Sequence, residues 1–320
     1  MQKKQETTGL IWLTNNLRVG DNKSIELACE KHDRVLAVYV FDKHIFESNI
    51  FGFKKIERYR AQFLLETLRD LKKHLAQKNI TLLTYFDFPE EVIPRVCETY
   101  QVAEVFTQKE WTKEEVQTFK KVASNLTGIC KITDSYDQFL YHPEDINMDF
   151  KSIPAVFTQF RKKVEKYASI RPESKSIQKE DSNRIENNTR LPDLTTLGYS
   201  EIKKDPRSAF PFHGGESEAL KRIDYYFFAS KKLSVYKQTR NGLIGSDYSS
   251  KLSPWLANGS ISAKTIYWKI KEYETENGAN SSTYWLIFEL IWRDYFKFIS
   301  LKHGNAFFKI DGILEKKYVW

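Results

Sequence analysis

The sequence predicts an α/β domain with a doubly wound, Rossmann-like parallel sheet, followed by an all-α domain. Three observations predict it. First, short β-branched and aromatic runs alternate with helical periodicities long enough to serve as crossover connections. Second, from Lys162 to about Arg207 the chain turns polar and aperiodic, as in "PESKSIQKEDSNRIENNTRLPDL", which reads as a surface connector. Third, from Gly215 onward the apolar residues follow helical spacing alone. The expected division is residues 1–140 as the α/β domain, 141–211 as the inter-domain connector and 212–320 as the start of a helical domain.

In order, the expected elements are these. Leu10 to Leu13 is a short apolar strand, and Ser24 to Lys31 a helix with Asp21 and Asn22 as candidate caps. Val35 to Phe41 is rich in β-branched and aromatic residues and reads as a strand. Ile56 to Leu75 carries Phe63, Leu64, Leu68, Leu71 and Leu75 at helical spacing. Strands at Thr81 to Phe86, Glu104 to Thr107 and Cys130 to Thr133 alternate with helices at Glu90 to Tyr100 and Lys113 to Leu126. In the second domain, helices are expected over Glu216 to Phe228, from Ser262 onward, and from a cap at Asn280 to Ser282 as far as Gly304. There is no internal repeat.

Composition narrows the function classes. The 320 residues include 41% hydrophobic and 29% charged residues, enough to bury sizeable cores. No apolar run approaches a bilayer span. The polar lead, Met1 to Thr8, has no signal-peptide core, so the cytoplasm is the expected location. Three cysteines, Cys29, Cys97 and Cys130, and six histidines give no metal-ligand spacing. The thiols are expected to be free and buried. A formal charge of +8 favours a polyanionic partner, nucleic acid first. The 22 Phe, 17 Tyr and 7 Trp suit large cores and flat, stacking ligands. No GxGxxG follows the first strand, so the dinucleotide fingerprint is missing.

Two segments carry chemistry. In "WLIFELIWRDYF", Trp285 to Phe296, Glu289 and Arg293 are four apart and share one helical face, with Trp292 and Phe288 beside them. They form either an ion pair on the helix surface, or a carboxylate and a guanidinium turned toward a ligand beside a stacking indole. In "SDYSSKLSPWLANGSIS", Ser246 to Ser262, serines surround Lys251 ahead of a helical stretch. Hydroxyls, backbone N–H groups and an ammonium suit a pyrophosphate; the same residues also suit a capped loop with ordinary side-chain turns. Upstream, Tyr236, Lys237 and Arg240 fall together in "VYKQTRNGL", as a phosphate-contacting or a solvated face.

At these residues the sequence resembles the photolyase/cryptochrome family, and within it the DASH cryptochromes. The matching strings are "GLIWLTNNLRVGDN" (Gly9 to Asn22), "FTQFRKKVE" (Phe157 to Glu165), "FHGGESEALKRIDYYFF" (Phe212 to Phe228), "YKQTRNGLIGSDYSSKLSPWLANGSIS" (Tyr236 to Ser262) and "STYWLIFELIWRDYFKF" (Ser282 to Phe298). They run in family order, and the "TRN" and "GGE" elements point to the DASH branch. The resemblance implies an antenna-bearing α/β domain, with 5,10-methenyltetrahydrofolate as the pigment, and a helical domain that holds a U-shaped FAD. By motif position, Tyr236, Ser249, Ser250, Lys251, Leu252 and Ser253 correspond to flavin phosphate and ribityl contacts. Glu289, Trp292 and Arg293 correspond to the helix that faces the flavin and its entry cavity. There Glu289 would hydrogen-bond a flipped pyrimidine pair and Trp292 would form its stacking wall. An acid in "QKEWTKEE" would contact the antenna, Glu114 in the favoured alignment and Glu115 if it slides by one.

The implied activity is blue-light reception, or light-driven repair of cyclobutane pyrimidine dimers in single-stranded DNA by a carbon–carbon lyase. A monomer that binds damaged or single-stranded DNA is expected. Two departures from the pattern stand out. The family's "FRNDLR" reads here Leu13-Thr14-Asn15-Asn16-Leu17-Arg18, so Thr14 stands for an arginine and Asn16 for an acid. The chain also ends, at "EKKYVW", where the family continues, so the remaining walls of the flavin cradle are expected to be missing. A truncated gene, a fragment and a degraded homologue would each explain that. The alternative function is an antenna or nucleic-acid-binding remnant without flavin chemistry.

Overall fold

The computed structural model describes residues 6–203 and 205–317. Most of the polar lead and the last three residues of "EKKYVW" lie outside the described residues. Five strands, β1 (Thr8–Leu13), β2 (Arg34–Asp42), β3 (Thr81–Asp87), β4 (Val102–Gln108) and β5 (Lys131–Ser135), form one sheet in the order β3-β2-β1-β4-β5. Every pairing is parallel. The connecting helices are α1 (Lys23–Lys31), α2 (Lys43–Phe46), α3 (Arg58–Gln77), α4 (Pro89–Thr99) and α5 (Lys113–Asn125).

Both faces of the sheet are covered, as a parallel sheet requires. Along β1 the side chains alternate. Ile11 and Leu13 join Ile25, Leu64, Leu68 and Leu71 of α1 and α3, whereas Leu10 and Trp12 join Val92, Ile93, Val96 and Val122 of α4 and α5. Each fully buried leucine or isoleucine here contributes about 1.5–3 kcal/mol. Asn22 caps α1 by accepting the N–H of Ile25 at 3.2 Å. Cys29 and Cys97 are buried and Cys130 is half-buried, all three as free thiols.

The connector does more than join two bodies. Helix α6 (Phe157–Tyr167) sends Phe157, Phe160 and Val164 into the helical core, so the irregular stretch begins only at Ala168. It then runs back along the free edge of β3. Asn183 accepts the N–H of Val35 at 2.7 Å and donates to the carbonyls of Val35 and Asn79. Asn187 donates to the carbonyl of Leu82, and Thr189 Oγ1 accepts the N–H of Thr84 at 2.9 Å. An open strand edge is a template for unwanted pairing. Here asparagine and threonine side chains occupy it, which accounts for the polar composition of the segment.

The helical part consists of α7 (Glu216–Ile223), α8 (Tyr236–Thr239), α9 (Ser253–Asn258), α10 (Ala263–Asn277) and α11 (Ser281–His303). The single helix expected over Glu216 to Phe228 is interrupted. After Ile223 it widens into a π-helical turn, Asp224–Ala229. Tyr226 and Phe227 are both fully buried there. Adjacent residues diverge on an α-helix, and the wider turn lets both rings enter the core. Ser262 caps α10, and Asn280 with Thr283 makes a capping box on α11. Helix α11 is the core's central element, burying Leu286, Ile287, Leu290, Ile291, Phe298 and Ile299.

The "HGGES" string fastens the two parts together. Glu66 on α3 accepts the N–H of Gly214 at 2.8 Å, and Asp70 accepts the N–H and hydroxyl of Ser217. Glu216 accepts the N–H groups of Val19 and Gly20, each at 2.8 Å. A Cβ on Gly214 would lie 2.1 Å from the carbonyl oxygen of Phe63, so the approach requires glycine. The altered "FRNDLR" segment sits at the same junction. Asn16 is fully buried and accepts the N–H of Thr14 at 3.1 Å. Arg18 pairs with Asp137 at 3.0 Å and donates to the carbonyls of Asp21 and Gly259. Both partners of that pair are almost completely buried.

Candidate functional site

The serine loop is organised by one buried guanidinium. Arg222 on α7 donates to the carbonyls of Ser246, Ser249 and Ser250 at 2.8, 3.1 and 3.0 Å. It also pairs with Asp247 at 2.8 Å. The rings of Phe212 and Tyr226 lie within 4.7 and 4.9 Å of it. An arginine that is 4% exposed must find acceptors, and the loop's carbonyls supply them. Lys251 then adopts a left-handed backbone, φ 59°. Leu252 is buried and Ser253 opens α9 as an exposed residue.

Tyr236 begins α8 and is buried, and burial raises its phenol pKa. The neighbouring N–H of Lys237 donates to the Ser282 hydroxyl at 3.2 Å, which docks α8 on the first turn of α11. The charges that follow face α11 as well. The Lys237 ammonium lies 4.5 Å from the Trp285 ring. Arg240 Nη1 is 2.7 Å from Glu289 Oε1.

The ion-pair alternative for Glu289 and Arg293 therefore needs correction: the residues share a helical face, yet they are not paired with each other. Arg293 donates to the carbonyls of Gln138 and Leu256, at 2.7 and 3.2 Å, and ties α9 and the segment after β5 to α11. Next to it, Asp294 is fully buried and accepts the N–H groups of Leu140 and Tyr141, each at 2.8 Å. Burial raises the pKa of its carboxyl to about 6. Lys297 donates to the same Gln138 carbonyl at 2.9 Å, and burial pushes its pKa well down. Trp292 stacks on Phe157, with ring centroids 3.5 Å apart and planes 11° apart, and its edge meets Phe288. Glu289 and Trp292 remain half-buried, on one face of α11.

The serine loop and the aromatic helix meet, because Arg293 reaches the carbonyl of Leu256, three residues beyond Ser253. A cavity of about 1110 Å³ lies elsewhere, on the Pro254, Ala257 and Asn258 face of α9, between α3 and the stretch that carries Ile202, Pro206, Phe210 and Phe212. Glu114, in the first turn of α5, is exposed and pairs with Lys55 at 2.7 Å. Glu115 accepts the hydroxyl of Thr112. Sequence reasoning passed over Glu110. It accepts Gln108 Nε2 at 2.6 Å and Asn15 Nδ2 at 3.4 Å, and burial raises its pKa. Its signal was its place just past the carboxyl end of β4, where parallel sheets bind ligands. Arg222 and the Arg240 to Glu289 pairing were also missed. Both join residues far apart in sequence.

Among the described residues no group of His, Cys, Asp and Glu side chains could hold a metal ion, and no helix is long and apolar enough to cross a membrane. The donor set suits an anionic organic ligand. Around Lys251 stand Ser249, half-buried, Ser253, exposed, and Ser250, buried, and the nearby carboxylate of Asp247 is neutralised by Arg222.

Residues 9–179 match the family described as DNA photolyase. The chain is 40% identical over 314 residues to Cryptochrome DASH of Gloeobacter violaceus, covering 98% of this chain and 63% of that protein. It is 41% identical to Cryptochrome DASH of Xenopus laevis, covering 96% of this chain and 60% of that one. The crystal structure of the Synechocystis sp. PCC6803 cryptochrome superposes with a TM-score of 0.92 at 36% identity, over 100% of this chain and 66% of that chain. The chain thus spans about three fifths of the length of these curated relatives. Its strands, its helical core and its sequence agree on one assignment: the chain belongs to the photolyase/cryptochrome family, in the DASH branch.

Proposed function

We propose that this chain carries the antenna domain and the first flavin-contacting part of a DASH-type cryptochrome, a flavoprotein that senses blue light or uses it to split cyclobutane pyrimidine dimers in single-stranded DNA. One observation carries the reading. Glu289 and Trp292 stay half-exposed on one face of α11, with Arg240 beside Glu289, while Arg293, Asp294, Lys297 and Lys302 of that helix are bonded to backbone groups elsewhere in the fold.

FAD is the cofactor this reading requires. Ser249, Ser250, Lys251 and Ser253 would hold its phosphates and ribityl chain, with Leu252 and Tyr236 packed behind them. Arg293 would act by holding α9 in place. When bound, FAD supplies the light-driven electron chemistry. The protein's own part is to orient and to exclude water. The Glu289 carboxylate can accept the N–H groups of an extruded pyrimidine pair, and the free surface of Trp292 can border its rings. Lys237 and Arg240 offer cations to a DNA backbone. For a folate antenna, 5,10-methenyltetrahydrofolate, we favour Glu110 over Glu114 as the contact. Glu110 is enclosed beside Asn15 and Gln108, whereas Glu114 is spent on an exposed ion pair.

The test is flavin uptake. Protein supplied with FAD should acquire absorption near about 450 nm after desalting. Protein that emerges colourless overturns the flavin reading, and folate retention without FAD would then support the antenna-only alternative. Light-dependent loss of dimers from ultraviolet-treated oligothymidylate separates repair from sensing. Repair that survives Glu289→Ala would remove the role given to that carboxylate.

A further inference from the structure

We propose that Cys97 and Cys130 form a redox-responsive pair that closes into a disulfide when the protein meets a small oxidised disulfide such as oxidised glutathione. The fold brings them together. A crossover helix runs back against its strands, so the last turn of α4 returns to the edge of the sheet from which the strands start. Cys97 lies in that turn, and Cys130 immediately precedes β5 at the same edge. Both side chains belong to the apolar cluster beneath α4 and α5, and the two thiols are within interaction range of one another.

The pair is also asymmetric in the way thiol exchange requires. Cys130 is half-buried and reachable, whereas Cys97 is 1% exposed. Contact with Cys97 lowers the pKa of Cys130, while its partner's is raised. The Cys130 thiolate would attack the small disulfide, form a mixed disulfide and release one small thiolate. Cys97 would then lose its proton and attack the Cys130 sulfur, expelling the second small thiolate. In balance, two protein thiols and one small disulfide give one protein disulfide and two small thiols. The bridge would close a loop of about 33 residues, which restrains the unfolded chain. Cys29 is the internal control. It sits on the opposite face of the sheet, and burial raises its pKa to about 11.

The experiment incubates the intact protein with oxidised glutathione, then counts thiols in denaturant and maps peptides. The free thiols should fall from three to one, with a peptide linked through Cys97 and Cys130. The melting temperature should rise by several degrees, reversibly with a reductant. Cys29→Ser should leave the linkage intact and Cys130→Ser should abolish it. Three thiols surviving oxidation would overturn the proposal. So would a stable glutathione adduct on Cys130, because it would mean that Cys97 cannot reach it.

Discussion

Glu289 takes its cation from Arg240, across from α8, and leaves Arg293 of its own helix to backbone carbonyls and the Asp294 carboxylate. Both members of the pair are about 30% exposed, so solvent screens the attraction. Glu289→Ala should therefore cost less than about 1 kcal/mol in urea denaturation. Where the flavin-loaded protein splits dimers under light, as one arm of the proposed function requires, the same change should abolish that splitting. A large loss of stability would instead make Glu289 a structural residue. A double-mutant cycle with Arg240→Ala should give a coupling of roughly 0.2–1 kcal/mol.

The junction between the two parts should respond far more strongly. Arg18 is paired with Asp137 and feeds the carbonyls of Asp21 and Gly259, with almost no solvent contact. Removing its side chain takes the paired cation from a buried carboxylate, which keeps only the Lys23 N–H, and a donor from the carbonyls of Asp21, Asp137 and Gly259. Arg18→Ala should cost about 3–5 kcal/mol, read from the urea midpoint at constant slope. A cost below about 1 kcal/mol would mean that water replaces the guanidinium.

The sequence made the layers legible because local pattern decides them. β-branched runs gave the strands, and the leucines of α3 gave its buried face. The capping residues Asn22, Ser262 and Asn280 stand where their side chains indicated. What escaped depends on contacts between distant residues. Arg293 has the spacing of a partner for Glu289, but two buried carbonyls, of Gln138 and Leu256, claim it first. The polar connector looked unattached because its partners are backbone groups of β2 and β3, which no side-chain pattern reveals. Glu114 and Glu110 differ in burial, not in residue type, so an alignment of acids could not rank them.

The close approach of the two parts at Gly259 gives a third prediction. This residue has φ 71°, and a Cβ on it would lie 1.8 Å from the carbonyl oxygen of Asn15. That oxygen belongs to backbone, so it cannot swing aside as a flexible side chain would. Gly259→Ala should combine left-handed strain of about 1–2 kcal/mol with displacement of the 15–18 segment. The variant should melt well below the parent, or fail to accumulate. Gly128→Ala provides the comparison. Its φ is 82° with nothing near the added carbon, so only the backbone strain remains.

His74 should make the junction sensitive to pH. It lies between Asp70 and Glu216, with Nδ1 3.4 Å from Glu216 Oε2 and Nε2 3.0 Å from the Ser217 hydroxyl. The hydrogen bond to Glu216, with Asp70 adding attraction, raises its pKa above the ordinary 6.5. The folded state then holds this proton more tightly than the unfolded chain does. The resulting stability is fully present below pH 6.5 and is lost as pH rises through the folded pKa. Burial lowers the pKa of His32 and His142, so those two act with the opposite sign and below pH 6.5. Above that pH, the difference between the parent and His74→Gln isolates one histidine. Unfolding free energies measured from pH 6 to 9 should converge as pH increases, with the parent ahead at the acidic end. A difference that stays constant across the range would assign His74 a packing role and leave its charge without effect.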